Sequence, residues 1–223
     1  MTKRKEPILA WHFLPLDGRL TNGDGRRVRP GHMVIHRGSK LKLCHHGLHA
    51  SRNILNALEN APGPLICRVE CSGIIVEATD KLVCSRRKAL WMFDSTIVLH
   101  EFSCWSAEQI LHLCGDDGRF RTAIAAKRAW LRGEISNEEL TVFEPAAWDI
   151  AEAAASAAAS AAARAAANAA ARAAAWAAAN AAASATAWAA AWATAWAAQE
   201  SKLIEMIEAA RKSMKAEPRT PHA

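Results

Sequence analysis

The residues best suited to chemistry are concentrated in one short run, Leu41 to Ser51, which reads LKLCHHGLHAS. Cys44, His45, His46 and His49 place a thiol beside three imidazoles, including a His-x3-His pair. Such groups can bind zinc, but a zinc site usually needs four ligands drawn from two separated pairs. The second pair on offer is Cys67 and Cys71, which share a strand face with Leu65 and Val69. Buried structural thiols suit that apolar face better than ligands, so no metal and no cofactor is expected. Cys44 next to His45 could form a thiolate pair, yet neighbours on a strand point to opposite sides. The sequence contains no G-x-S-x-G, Walker loop or G-x-G-x-x-G. Asn22-Gly23-Asp24-Gly25 is a turn and not a phosphate loop, because no helical pattern follows it. Asp80-Lys81 also reads as a turn. The candidate binding group is therefore Trp11, Cys44, His49 and Ser51.

The elements that must position this group are legible from hydrophobic period. Ile8 to Leu16 reads as a strand, followed by turn signals at Asp17-Gly18 and residues 22–25. Val28 to Ile35 is a second short strand interrupted at Pro30-Gly31. Leu41 and Leu43 alternate with lysines, as on a half-buried strand. Ser51 is placed to cap a helix over Arg52 to Asn60, which Pro62-Gly63-Pro64 ends. Leu65 to Cys71 alternates, and Ile74 to Glu77 continues it past a bulge at Gly73. Leu82 to Cys84 and Ala89 to Phe93 are two further apolar runs, separated by Arg86, Arg87 and Lys88.

From Asp94 the period becomes helical. A helix capped by Asp94 or Ser95 presents Val98, Phe102, Trp105, Ile110 and Leu111 and stops at Gly115. A second runs from about Arg119 to Arg132, with Phe120, Ile124 and Leu131 inward. Ser136 and Glu139 form a capping box for a short third helix.

The remainder is dominated by alanine, which fills 36 of the 53 positions from Ala146 to Ala198. The interruptions follow a four-residue lattice that includes Trp148, Arg164, Trp176, Trp188, Trp192 and Trp196. Alanine has the highest helix propensity, and no Gly or Pro lies between Pro145 and Pro218. Each step of four advances the stripe by about 40°, so it winds around the axis and favours right-handed coiling with a partner helix. Trp176, Trp188, Trp192 and Trp196 are the expected anchors of a homo-oligomer. Ala173 to Gln199 carry no charge, but the segment lacks Leu, Ile, Val and Phe, so no membrane span is expected.

These patterns give an α+β chain: a small mixed β domain with packed helices, followed by a long Ala-rich α-helix. The expected divisions are a β-rich head over 1–93, a helical part over 94–143, the alanine helix over 144–216 and a disordered tail over 217–223. The net charge is +6 and the pI about 9.2. The basic residues between 19 and 42 offer a surface for nucleic acid. The opening MTKRKEPILA lacks an apolar h-region, so free thiols in a cytoplasm are expected.

WHFL (Trp11 to Leu14), the DGRL and GDGR turns, the Cys44-to-Ser51 run ending GLHAS, APGP (Ala61 to Pro64) and DKLV (Asp80 to Val83) carry a family resemblance. Together with the Ala/Trp-rich tail, they resemble an uncharacterised family encoded by phages and prophages. The resemblance covers nearly the whole chain and implies the cytoplasm of an infected or lysogenic bacterial host, but no known activity. A second resemblance lies in the order of parts. A Trp-His strand, a Gly-x-His-Ala-Ser step into a helix and a later Arg-Val-Glu strand are similar to ADP-ribosyltransferases. It implies that His12 and His49 with Ser51 cradle the nicotinamide end of NAD, while Glu70 or Glu77 holds the ribose. The usual His-Gly-Thr is replaced here by His12, Phe13 and Leu14. The expectation is thus a phage-type binding and assembly protein, with an ADP-ribosyltransferase-like enzyme as the alternative.

Overall fold

The computed structural model describes residues 6–21, 24–38, 40–110, 118–142 and 193–215. It is α+β, as the patterns predict. The elements are β1 (Ile8–Leu14), β2 (Met33–Ile35), β3 (Leu48–Ala50), α1 (Ile54–Glu59), β4 (Leu65–Glu77), β5 (Leu82–Asp94), α2 (Thr96–Ile110), α3 (Gly118–Leu131) and α4 (Asn137–Thr141). A last helix, α5, covers residues 193–215. The chain divides into two compact units, residues 1–99 with 200–223 and residues 100–199.

In the first unit a long antiparallel hairpin, β4–β5, is the frame. The charges at Arg86, Arg87 and Lys88 do not break β5, contrary to the sequence pattern. Their backbone groups are paired with β4 on one edge and β2 on the other, so strand geometry survives the polar side chains. Alternation then leaves Arg86 exposed and carries Arg87 inward, to 3% exposure. Register shifts at Arg68/Val69 and Ser72/Ile75 bend the hairpin. Gly73, at φ 79°, permits the second, where the Ile74 N–H donates to Ser85 Oγ at 2.9 Å.

The bend closes the sheet upon itself. β1 pairs with β4, β3 pairs with the first residues of β5, and Trp11 and Ser51 exchange two backbone hydrogen bonds of 2.7 and 3.0 Å. Inside the ring so formed lies a core that includes Ala10, Leu14, Leu48, Val69, Leu82 and three thiols, Cys67, Cys71 and Cys84. Ser51 is therefore a strand partner and not the helix cap that the sequence suggests. Asn53 caps α1 instead, its Oδ1 accepting from the Leu55 N–H at 2.8 Å. Leu41 to Leu43 form no strand. Lys42 and His46 bridge a tight turn in which Cys44 adopts φ 65°.

On the outer face of the same strands, cross-strand register aligns Trp11, Arg68 and Trp91. The two indoles meet edge to face at 5.8 Å, and the Arg68 guanidinium lies 4.3 Å over Trp11. Residues 200–215 of α5 group with this unit. Leu203 and Ile207 are fully buried, and Arg211, one further turn along the same stripe, sits 4.9 Å over Trp91.

The second unit is helical. Phe102, Cys104, Ala123, Ile124 and Ala126 are buried, while Trp105 and Leu131 are only partly so. Trp130 meets His100 edge to face at 5.2 Å and donates to Asn137 Oδ1 at 2.7 Å. The capping box of Ser136 and Glu139 is present. Trp196 is partly buried; Trp176, Trp188, Trp192, Leu111, Gly115 and the 217–223 tail lie outside the described residues. Among the described residues no helix is long and apolar enough to cross a membrane.

Candidate functional site

The Trp11–Ser51 pairing brings together residues forty positions apart. Trp11, Cys44, His49 and Ser51 all line one cavity of about 410 Å³, between β1, β3 and α1. His12, Thr21, Asn56, Asn60 and Lys81 complete its polar lining, and Trp11 and Phe13 supply aromatic surface. A second cavity of about 180 Å³ shares His12, Thr21 and His49 with the first. Volumes of roughly 300 to 1,000 Å³ are those of small-ligand sites.

His49 organises the mouth of the larger cavity. Its Nε2 accepts the backbone N–H of Cys44 at 3.0 Å, so that nitrogen carries a lone pair and the neutral ring is protonated on Nδ1. This bond holds Cys44 in its left-handed conformation, which few side chains tolerate without a local anchor. Burial, then the charges of Arg87 and Lys81, hold His49 below the ordinary imidazole range, against a backbone hydrogen bond with Gly47. His12 is lowered further, by burial first and then by Arg87 and His49. Both imidazoles are neutral near neutral pH, able to donate from one nitrogen and accept at the other.

These shifts fix the sign of an acid effect. Below pH 6.5, the ordinary histidine value, the unfolded chain takes up protons that half-buried His12 resists, so stability falls with pH. The slope from His12 alone reaches about 1.4 kcal/mol per pH unit until its folded pKa is passed. Urea unfolding of the wild type against His12→Asn between pH 7 and pH 5 should show a flatter profile in the variant. Equal profiles would show that His12 does not carry the effect.

Cys44 is the exposed thiol among the described cysteines; Cys67, Cys71, Cys84 and Cys104 are buried. Lys81 hydrogen-bonds both Asp80 and Cys44, and these two partners raise its pKa in that order. The residue that reads as a turn lysine thus places its ammonium at the exposed thiol. Burial pushes Cys67 up to about 12. Cys71 is raised and Cys84 lowered, because the Cys71 thiol donates to the Cys84 sulfur. Iodoacetamide at neutral pH should therefore mark Cys44 well ahead of these buried thiols, as peptide mass spectrometry would show. Equal labelling of Cys67 or Cys84 in folded protein would contradict this geometry.

The residues implied by the ADP-ribosyltransferase resemblance are only partly brought together. His12 and His49 share both cavities. Glu70 pairs across the sheet with Leu9 and Lys88, on the face opposite the one that carries His12 and Cys67. Glu77 forms an ion pair with Arg52. Among the basic residues of the 19–42 stretch, Arg19 donates to the Gly25 carbonyl and Arg26 is held by Asp24 and the Ile35 carbonyl. Arg27, Arg29, Arg37, Lys40 and Lys42 are exposed.

Among the described residues, no three His, Cys, Asp or Glu side chains are grouped to hold a metal ion. No protein-family model, curated protein or solved structure matches this chain. The geometry of the site itself carries its functional reading. Sequence reasoning passes over two of its members, Arg87 and Lys81. The signal for Arg87 in the sequence is its spacing of two from Ala89, hidden by the flanking charges of Arg86 and Lys88.

Proposed function

We propose that the chain is a binding and assembly protein of the phage-encoded kind its sequence resembles. The head takes a small molecule into the larger cavity, and the alanine-rich segment joins copies of the chain. The observation that carries the first part is convergence: Trp11, Cys44, His49 and Ser51 line one cavity of about 410 Å³. Its wall combines aromatic rings with the amides of Asn56 and Asn60, the mixture that fixes a small ligand's orientation. The second part rests on the tryptophan lattice. Calorimetric titration of the full chain with adenosine, nicotinamide and NAD tests the cavity. A signal lost in Ser51→Trp, which fills the space, supports it; no signal from any probe counts against it. Light scattering at micromolar concentration tests assembly, where a monomer removes that part.

A second reading, an ADP-ribosyltransferase-like enzyme, is favoured by His12 and His49 lining the same cavity. Incubation with labelled NAD separates the two. Turnover that falls in a Glu70→Ala, Glu77→Ala double variant supports the enzyme; binding without turnover supports the binding module.

A further inference from the structure

Arg87 has an unusual position for a guanidinium. It is 3% exposed, and it lines the smaller cavity together with His12, His36, His45, His46 and His49. A buried cation normally has a carboxylate partner, because leaving water is otherwise uncompensated. Among the described residues none lies within ion-pairing distance of Arg87; its Nη1 donates to the backbone carbonyl of His49. The acid nearest in role is Asp24, which also lines the cavity. Both its oxygens are taken by Arg26, at 2.5 and 2.6 Å. The cavity wall therefore holds a guanidinium with a backbone partner but no ion-pair partner among the described residues, several imidazoles and the Thr21 hydroxyl, against one acid already held by Arg26.

We infer that this smaller cavity is a subsite for a phosphate group. A guanidinium fork matches two phosphate oxygens at once, and imidazole N–H groups can serve the others. A tetrahedral anion with several acceptor oxygens uses such a ring of donors more fully than a carboxylate does. The cavity, at about 180 Å³, has room for a phosphate, and it shares His12, Thr21 and His49 with the larger one. The ligand is then a phosphorylated small molecule, its phosphate at Arg87 and its organic body beside Trp11 and Phe13. This rests on the larger cavity being a ligand site.

The test is calorimetric titration of the full chain with inorganic phosphate, adenosine and adenosine monophosphate. The wild type is compared with Arg87→Met and with His46→Ala, an exposed position that leaves the core untouched. Expected are phosphate binding in the wild type, a loss of at least tenfold in Arg87→Met and a few-fold loss in His46→Ala. Adenosine monophosphate should bind more tightly than either of its parts. If Arg87→Met fails to fold, His46→Ala decides. Phosphate affinity unchanged in the folded variants overturns the subsite. Absent phosphate binding with retained adenosine binding overturns the subsite alone; absence of binding by all three probes overturns the cavity reading as well.

Discussion

Gly47→Ala should destabilise the head by about 2–5 kcal/mol, the sum of backbone strain and overpacking. Gly47 has φ 120°, a conformation that side chains rarely adopt. A Cβ there would lie 2.3 Å from Val83 Cγ2 and 2.7 Å from Leu41 Cδ2. Val83 is fully buried in β5, so it cannot yield without moving the frame of the sheet. The same turn sets Cys44 against His49, so the mouth of the cavity should be disturbed along with stability. Gly25→Ala is the matched control. It also has positive φ, 64°, but nothing lies within 4 Å of the added carbon. Its effect should be about 1 kcal/mol, from strain alone. Urea unfolding of both variants checks the contrast. Equal effects would mean that contact with Val83 does not hold the turn.

Leu203→Ala and Ile207→Ala should each lower the stability of the head by about 2–5 kcal/mol. Both side chains are fully buried, and residues 200–215 share a compact unit with the strands. Removing most of a buried aliphatic side chain loses its transfer free energy and leaves a cavity that the sheet cannot collapse into. Arg211→Ala, which removes the contact over Trp91, should cost only about 0.5–1 kcal/mol, since that residue is partly exposed. Thermal unfolding followed by near-ultraviolet circular dichroism reads the indole environment directly. An unchanged melting temperature in Ile207→Ala would show that the last helix is not part of the head.

Much of the fold was legible, because alternation and caps are local signals. β1, β4 and the bulge at Gly73 follow from period two and a glycine. The Ser136–Glu139 box follows from spacing. What failed depended on distant partners. Ser51 has the chemistry of a cap, yet the backbone of Trp11 claims it for the sheet, and Asn53 takes the cap two residues on. Arg86 to Lys88 look like solvent-facing loop because no sequence rule reports that both edges of β5 are paired there. The stripe of Leu203, Ile207 and Arg211 was present as an i, i+4 pattern. It was overshadowed by the alanines before it, whose uniformity suggests a single rod up to residue 216.

The candidate site was half legible. His49, Cys44, Trp11 and Ser51 stand out by type and neighbourhood, and all four line the larger cavity. Arg87 does not stand out, because its importance is a matter of burial and of the charge missing beside it, and Lys81 does not, because its contact with Cys44 joins residues far apart in the chain. A guanidinium in a charged tripeptide looks ordinary until its strand is shown to be interior.

The most direct measurement is a crystallographic screen of the full chain with small fragments, some phosphorylated and some uncharged. The account predicts that fragments collect against Trp11, His49 and Ser51, with phosphoryl groups beside Arg87. Fragments bound elsewhere while both cavities stay empty would contradict it.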